Sequence, residues 1–292
     1  MELGDFYYRQ GYKIVEKSII FAINHFRLIS LNCRKIKVLF ILKFEIVKNI
    51  LDGIPHTPPE DGLLLYNFIL KSKPSKILEL GFQHGVSTLY MAAALDEIGF
   101  GEIITIDRQS ALHENPSIET LLNKSGLNQY VKAIYANYSY TWELMKIIRD
   151  NSTNQNEQIL FDFCFIDGAH NWETDGFSFF LVDKLLNDGA FILFDDVYWT
   201  YSKSEGLKNT DFVKQMSIDE KNTPQVELIL KLLVAQRENY SILSVNERWA
   251  WVQKIDNRNK IIQSDFESLF IQTSIKSDIK KLLKKIKSKL TK

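Results

Sequence analysis

The chain has 292 residues, 45% hydrophobic and 25% charged, enough for one large globular domain with appendages. Its 36 Lys and Arg balance its 36 Asp and Glu, so it lacks the basic surplus that a general nucleic-acid binder needs. Two cysteines, Cys33 and Cys164, make no disulfide framework, and Cys164 sits in an apolar run that reads as buried.

Residues 1–52 read as an N-terminal helical extension, with Ile19, Ile20, Ile23 and Phe26 at helical spacing. The first ten residues are acidic and aromatic, unlike a secretory signal. The most apolar stretch there, 36–47, is broken by Lys37, Lys43 and Glu45, and is too short and too charged to span a bilayer. These features predict a cytoplasmic protein. The extension offers surface for a homodimer contact or for covering an acceptor site.

Gly53, Pro55, Pro58 and Pro59 mark a break, and residues 53–256 then alternate short apolar runs with longer amphipathic segments. The predicted strands are 76–80, 102–107, 131–136, 161–167 and 190–195. Helices are expected over 87–98, 117–124, 140–149 and 172–186. The strands are almost continuously apolar, as parallel strands covered on both faces must be. Segments 240–245 and 249–254, joined by a few polar residues, predict an antiparallel hairpin at the sheet edge. The expected fold is thus α/β, a doubly wound, mostly parallel sheet of seven strands. Residues 257–292 form a polar, then basic tail. Within it, Ile279, Leu282, Leu283, Ile286 and Leu290 share one side of a lysine-rich helix. Such a helix suits either a solvated chain end or peripheral contact with an anionic membrane.

The first strand ends in Glu79-Leu80-Gly81-Phe82-Gln83-His84-Gly85-Val86-Ser87-Thr88. Two glycines permit a tight turn and close backbone approach, and a following helix N-terminus favours an anion. Asp107 ends the second strand, where an acid accepts the hydroxyls of a ribose. Together these predict a nucleoside cofactor. The turn is G-x-x-x-G, not the dinucleotide G-x-G-x-x-G, and the Walker lysine is absent. Here the chain resembles the class I S-adenosylmethionine methyltransferases, whose Rossmann-like fold this pattern matches. The resemblance implies S-adenosylmethionine as cofactor. Gly81 and Gly85 would line its methionine part, with Ser87 at the helix start and Glu79 reaching the ammonium through nearby groups. Asp107 would hold the ribose, and Asn137 and Tyr138 would lie beside the adenine.

Two further strand ends are rich in acids: Asp167-Gly168-Ala169-His170 and Asp195-Asp196. Two bare carboxylates about 4 Å apart repel by roughly 4 kcal/mol at an effective dielectric near 20, so a cluster needs protons or a cation. Hard oxygen ligands suit Mg²⁺. His170 is placed to take a proton from an acceptor hydroxyl. The plainer alternative is a helix-capping histidine with solvated aspartates. These residues, with the lead-in Thr57 to Gly62, resemble the metal-dependent O-methyltransferases: the catechol, caffeoyl-coenzyme A and macrolide-sugar enzymes. That resemblance implies metal ligands at Asp167, Asp195 and Asp196, with Asp167 also beside the cofactor. Catechol-type members carry lysine where this chain has His170. Histidine and the Asp-Asp pair tilt the acceptor toward a saccharide or secondary-metabolite hydroxyl. Metal-independent N-methylation and a non-catalytic scaffold are the rival readings.

Trp199 and Tyr201 are candidates for an apolar acceptor wall or for plain packing, and 202–224 for a lid or a surface loop. His84 would edge the pocket or sit in an exposed loop. His25, His56 and His113 receive no role.

Overall fold

A computed structural model describes residues 43–153 and 158–255. The chain divides into two compact units, the second beginning at Val47, and that unit carries everything below. The N-terminal extension up to residue 42 and the basic C-terminal helix lie outside the described residues.

Seven strands form one sheet: β1 (Lys76–Leu80), β2 (Glu102–Arg108), β3 (Val131–Ala136), β4 (Phe161–Ile166), β5 (Leu186–Phe194), β6 (Tyr240–Val245) and β7 (Ala250–Lys254). Their order is β3-β2-β1-β4-β5-β7-β6. Strands β3, β2, β1, β4 and β5 pair in parallel, while β7 runs antiparallel to both β5 and β6. The order reverses at β1 and β4, which opens a ligand crevice beyond the carboxyl ends of those strands.

The long helices are α1 (Pro59–Ser72), α2 (Val86–Ile98), α3 (Ile118–Ser125), α4 (Tyr140–Thr153) and α5 (Trp172–Asp183). Three short ones follow: α6 (Asp211–Gln215), α7 (Ile218–Asn222) and α8 (Gln225–Ile229). Helix α1 went unread in the sequence, although Pro59 with Glu60 and Asp61 in its first turn is a start signal. Segment 202–224 holds α6 and α7, capped by Thr210 and Ser217, the latter in a reciprocal capping box with Glu220.

Strand side chains alternate between two cores. Leu78, Cys164, Ile192 and Val252 point to one face, where Tyr140 and Leu144 of α4, Phe179 and Val182 of α5 and Ile229 of α8 cover them. On the opposite face Phe68 of α1 meets Phe163, Phe191 and Trp251 at ring-centroid distances of 4.9, 5.3 and 4.5 Å. Helix α2 is buried along Val86–Leu95 and packs on α1, where Gly62 leaves room for the Tyr90 ring. Cys164 is a buried free thiol. Among the described residues no helix is long and apolar enough to cross a membrane.

Candidate active site

Three backbone bonds carry the ladder past the strand ends and fix the rim. Gly81 N donates to Ile106 O (2.8 Å), Asp167 N to Leu80 O (2.9 Å) and Asp195 N to Ile166 O (3.0 Å). The ends of β1, β2, β4 and β5 therefore meet along one edge, as the sequence predicts.

Gly81 and Gly85 adopt φ of +92° and +87°. A Cβ on Gly81 would lie 1.9 Å from the Asp167 carbonyl oxygen, and one on Gly85 would lie 2.5 Å from Ile118 Cγ1. The glycines thus let β1 and β4 end side by side and let α2 seat against α3. Asp107 holds the turn from below: its Oδ2 accepts from Phe82 N (2.8 Å) and Gln83 N (2.7 Å), and its Oδ1 from Arg108 N (2.6 Å). A carboxylate offers about four lone-pair positions, so one remains for a ligand hydroxyl. Helix α2 starts at Gly85 with no side-chain cap and no acid in its first turn, leaving its orphan N–H groups open to an anion.

Glu79 and Ser87 face inward. Glu79 is fully buried and accepts from the hydroxyls of Ser87 (2.6 Å), Thr88 (2.5 Å) and Thr105 (2.7 Å). Burial raises its pKa to about 7, against the pull of those three donors. Asn137 bonds to Gln109, and Tyr138 is almost wholly exposed at the end of β3. His84 is buried: its Nδ1 donates to Pro116 O (2.8 Å), its Nε2 lies 3.2 Å from Glu114, and its ring stacks on His56 at 5.8 Å.

His170 Nε2 lies 3.8 Å from both Asp167 Oδ1 and Asp196 Oδ2. Its Nδ1 is buried without a hydrogen-bond partner among the described residues, so Nε2 is the nitrogen that faces the rim. The rings of His170, Trp199 and Tyr201 follow one another at 5.6 and 4.7 Å. Desolvation, then Asp195 and Asp196, push the Asp167 carboxyl well above the usual range. The 168–170 turn is held from behind by two residues the sequence reading missed: Ala169 N donates to Tyr140 Oη (3.0 Å), which itself bonds to the buried Asp175. Neither carried a motif, since Tyr140 opens α4 and Asp175 lies within α5.

Asp195 lies against the Asp167 carboxyl and is engaged from its other side as well. Its Oδ1 accepts from Trp249 Nε1 (2.5 Å) and Arg248 Nε (3.0 Å), while Arg248 Nη1 donates to Asp61 (2.8 Å). The sequence reading missed Asp61 and Arg248, 187 positions apart, because only the fold brings them together. Asp167, Asp195 and Asp196 share the rim, but so arranged they do not fit one shared divalent ion: a guanidinium and an indole occupy Asp195. Among the described residues no group of three or more His, Cys, Asp or Glu side chains is set to hold a metal. A separate hollow of about 290 Å³ opens between Lys73, Asp162, Asp188 and Phe191 at the opposite rim. Asp162 there is occupied by Ser75, Lys76 and Asn187.

The sheet order, glycine turn and rim acids define the class I methyltransferase fold. Residues 78–197, which run from β1 past the end of β5, match the sequence pattern of a family described as a methyltransferase domain. Solved structures share the fold, and two serve as examples. One is a Klebsiella pneumoniae protein provisionally described as an O-methyltransferase: 16% identity, TM-score 0.50, covering 74% of this chain and 90% of that one. The other is a Staphylococcus aureus protein provisionally described as a caffeoyl-CoA O-methyltransferase: 18% identity, TM-score 0.50, covering 75% and 99%. No curated protein sequence matches the chain.

Proposed function

We propose that this protein is an S-adenosylmethionine-dependent O-methyltransferase acting on a hydroxyl of a saccharide or secondary metabolite, with His170 as general base. The observation that carries the reading is the position of His170 Nε2, 3.8 Å from two carboxylates on the rim that also holds the glycine turn and Asp107. Bound at that turn, S-adenosylmethionine supplies an electrophilic methyl group on a sulfonium. The residues present suit it: the uncapped N-terminus of α2 meets a carboxylate, Gly81 and Gly85 keep side chains out of the turn, and Asp107 accepts a ribose hydroxyl.

With an acceptor hydroxyl seated beside that methyl group, His170 Nε2 would take the hydroxyl proton as the oxygen replaces the sulfur on the methyl carbon. Asp167 Oδ1 and Asp196 Oδ2 sit on either side of that nitrogen and hold the ring toward the rim. Trp199, beside His170, offers an apolar wall for the acceptor. Titrating S-adenosylmethionine into the protein by calorimetry tests the cofactor site. Wild type should release binding heat, and Asp107→Ala should bind about 10–100-fold more weakly for loss of a charged hydrogen-bond partner. No binding by wild type would overturn the reading. Once an acceptor is found with labelled cofactor, His170→Ala should cut turnover by about 10²–10⁴-fold and leave cofactor affinity unchanged.

A further inference from the structure

We infer that the Arg248 guanidinium, clamped between Asp61 and Asp195, is the fixed cation of this acidic rim, and that methyl transfer here proceeds without a divalent ion. The inference rests on the proposed methyl transfer and names the charge that supports it.

Arg248 is held on both sides. Its Nε lies 3.0 Å from Asp195 Oδ1, its Nη2 3.5 Å from Asp195 Oδ2 and its Nη1 2.8 Å from Asp61 Oδ2. Its backbone is fixed too: Arg248 N donates to Asn246 Oδ1 (2.9 Å), and Arg248 O accepts from Val197 N (2.9 Å). The strand register explains the position. Phe194 pairs with Ala250, so the turn between β6 and β7 lies against the end of β5. Trp249 Nε1 donates a second bond to Asp195 Oδ1, so with the longer Nη2 contact to Oδ2 three N–H groups face this one carboxylate. Mg²⁺ demands near-ideal octahedral oxygen geometry, whereas a guanidinium offers a planar fork matched to carboxylates and cannot be titrated away. A cation bound by Asp195 would also face the positive charge of Arg248 at close range.

Titrating Mn²⁺ into the full-length, chelator-treated protein and reading the free ion by electron paramagnetic resonance tests this. Wild type should leave the free-ion signal unchanged, and calorimetry should give the same S-adenosylmethionine affinity with and without chelator. Arg248→Met, which removes the charge but keeps the bulk, should gain stoichiometric Mn²⁺ binding that a second change, Asp196→Asn, weakens. Stoichiometric Mn²⁺ uptake by wild type, abolished in Asp167→Asn, would overturn the inference whether or not Arg248→Met folds. A folded Arg248→Met, checked by circular dichroism, that still binds no Mn²⁺ would overturn it as well. Failure to bind S-adenosylmethionine would strike the proposed function instead, so the two failures are distinguishable.

Discussion

Glu79 shows how one buried acid reports on the site. It lies under the glycine turn with three hydroxyls donating to it, and burial still raises its pKa from 4.5 to about 7. The folded state therefore holds a proton that the unfolded chain releases at lower pH. The stability due to this proton is fully present below about pH 4.5 and is lost as pH rises through about 7. A shift of this size corresponds to about 3 kcal/mol. Glu79→Gln removes the titration. Denaturant unfolding across that pH window should show its stability rising relative to wild type by about 3 kcal/mol, and a constant difference would contradict the assignment. At the same scale, Tyr140→Phe should cost about 1–3 kcal/mol in unfolding free energy, because the buried Asp175 loses its hydroxyl donor.

Among the elements, the turn from β1 to α2 couples fold to site. Gly81 occupies left-handed backbone, and its missing side chain is the space into which the Asp167 carbonyl projects. Gly81→Ala combines backbone strain with a clash against backbone that cannot swing away. It should lower stability by roughly 2–5 kcal/mol, read from the denaturation midpoint. Two amides of the same turn donate to Asp107, so the acid near the end of β2 shapes the loop as well as facing a ligand. The aspartate near the end of β2 was legible in the sequence. Its grip on the turn was not, because hydrogen bonds to backbone N–H groups carry no side-chain signature.

Across the whole molecule, the two layers are tied through Phe68, which touches β4, β5 and β7 at once. Phe68→Ala should cost about 3–5 kcal/mol in unfolding free energy and loosen the face that α1 covers, a larger loss than any surface change. Helix α1 also delivers Asp61 to Arg248, so the layer that stabilises the sheet completes the rim's charge balance.

The amino-acid order alone located the strands, because parallel strands covered on both faces are mostly apolar, but it missed the start of β5: Leu186 opens that strand, where the sequence predicts a helix running on to residue 186. It also determined that Asp107, Asp167, Asp195 and Asp196 lie at the ends of strands, since each acid closes or follows an apolar run. Those rules act over a few residues and can be read locally. Only the tertiary structure decided that Asp195 turns to Arg248 and Trp249, and that Asp167 and Asp196 flank His170. A lone arginine in a hairpin turn, or an acid in the first turn of a helix, acquires its meaning from a partner far away in the chain. Electrostatic pairing depends on distance in space, which sequence separation does not encode.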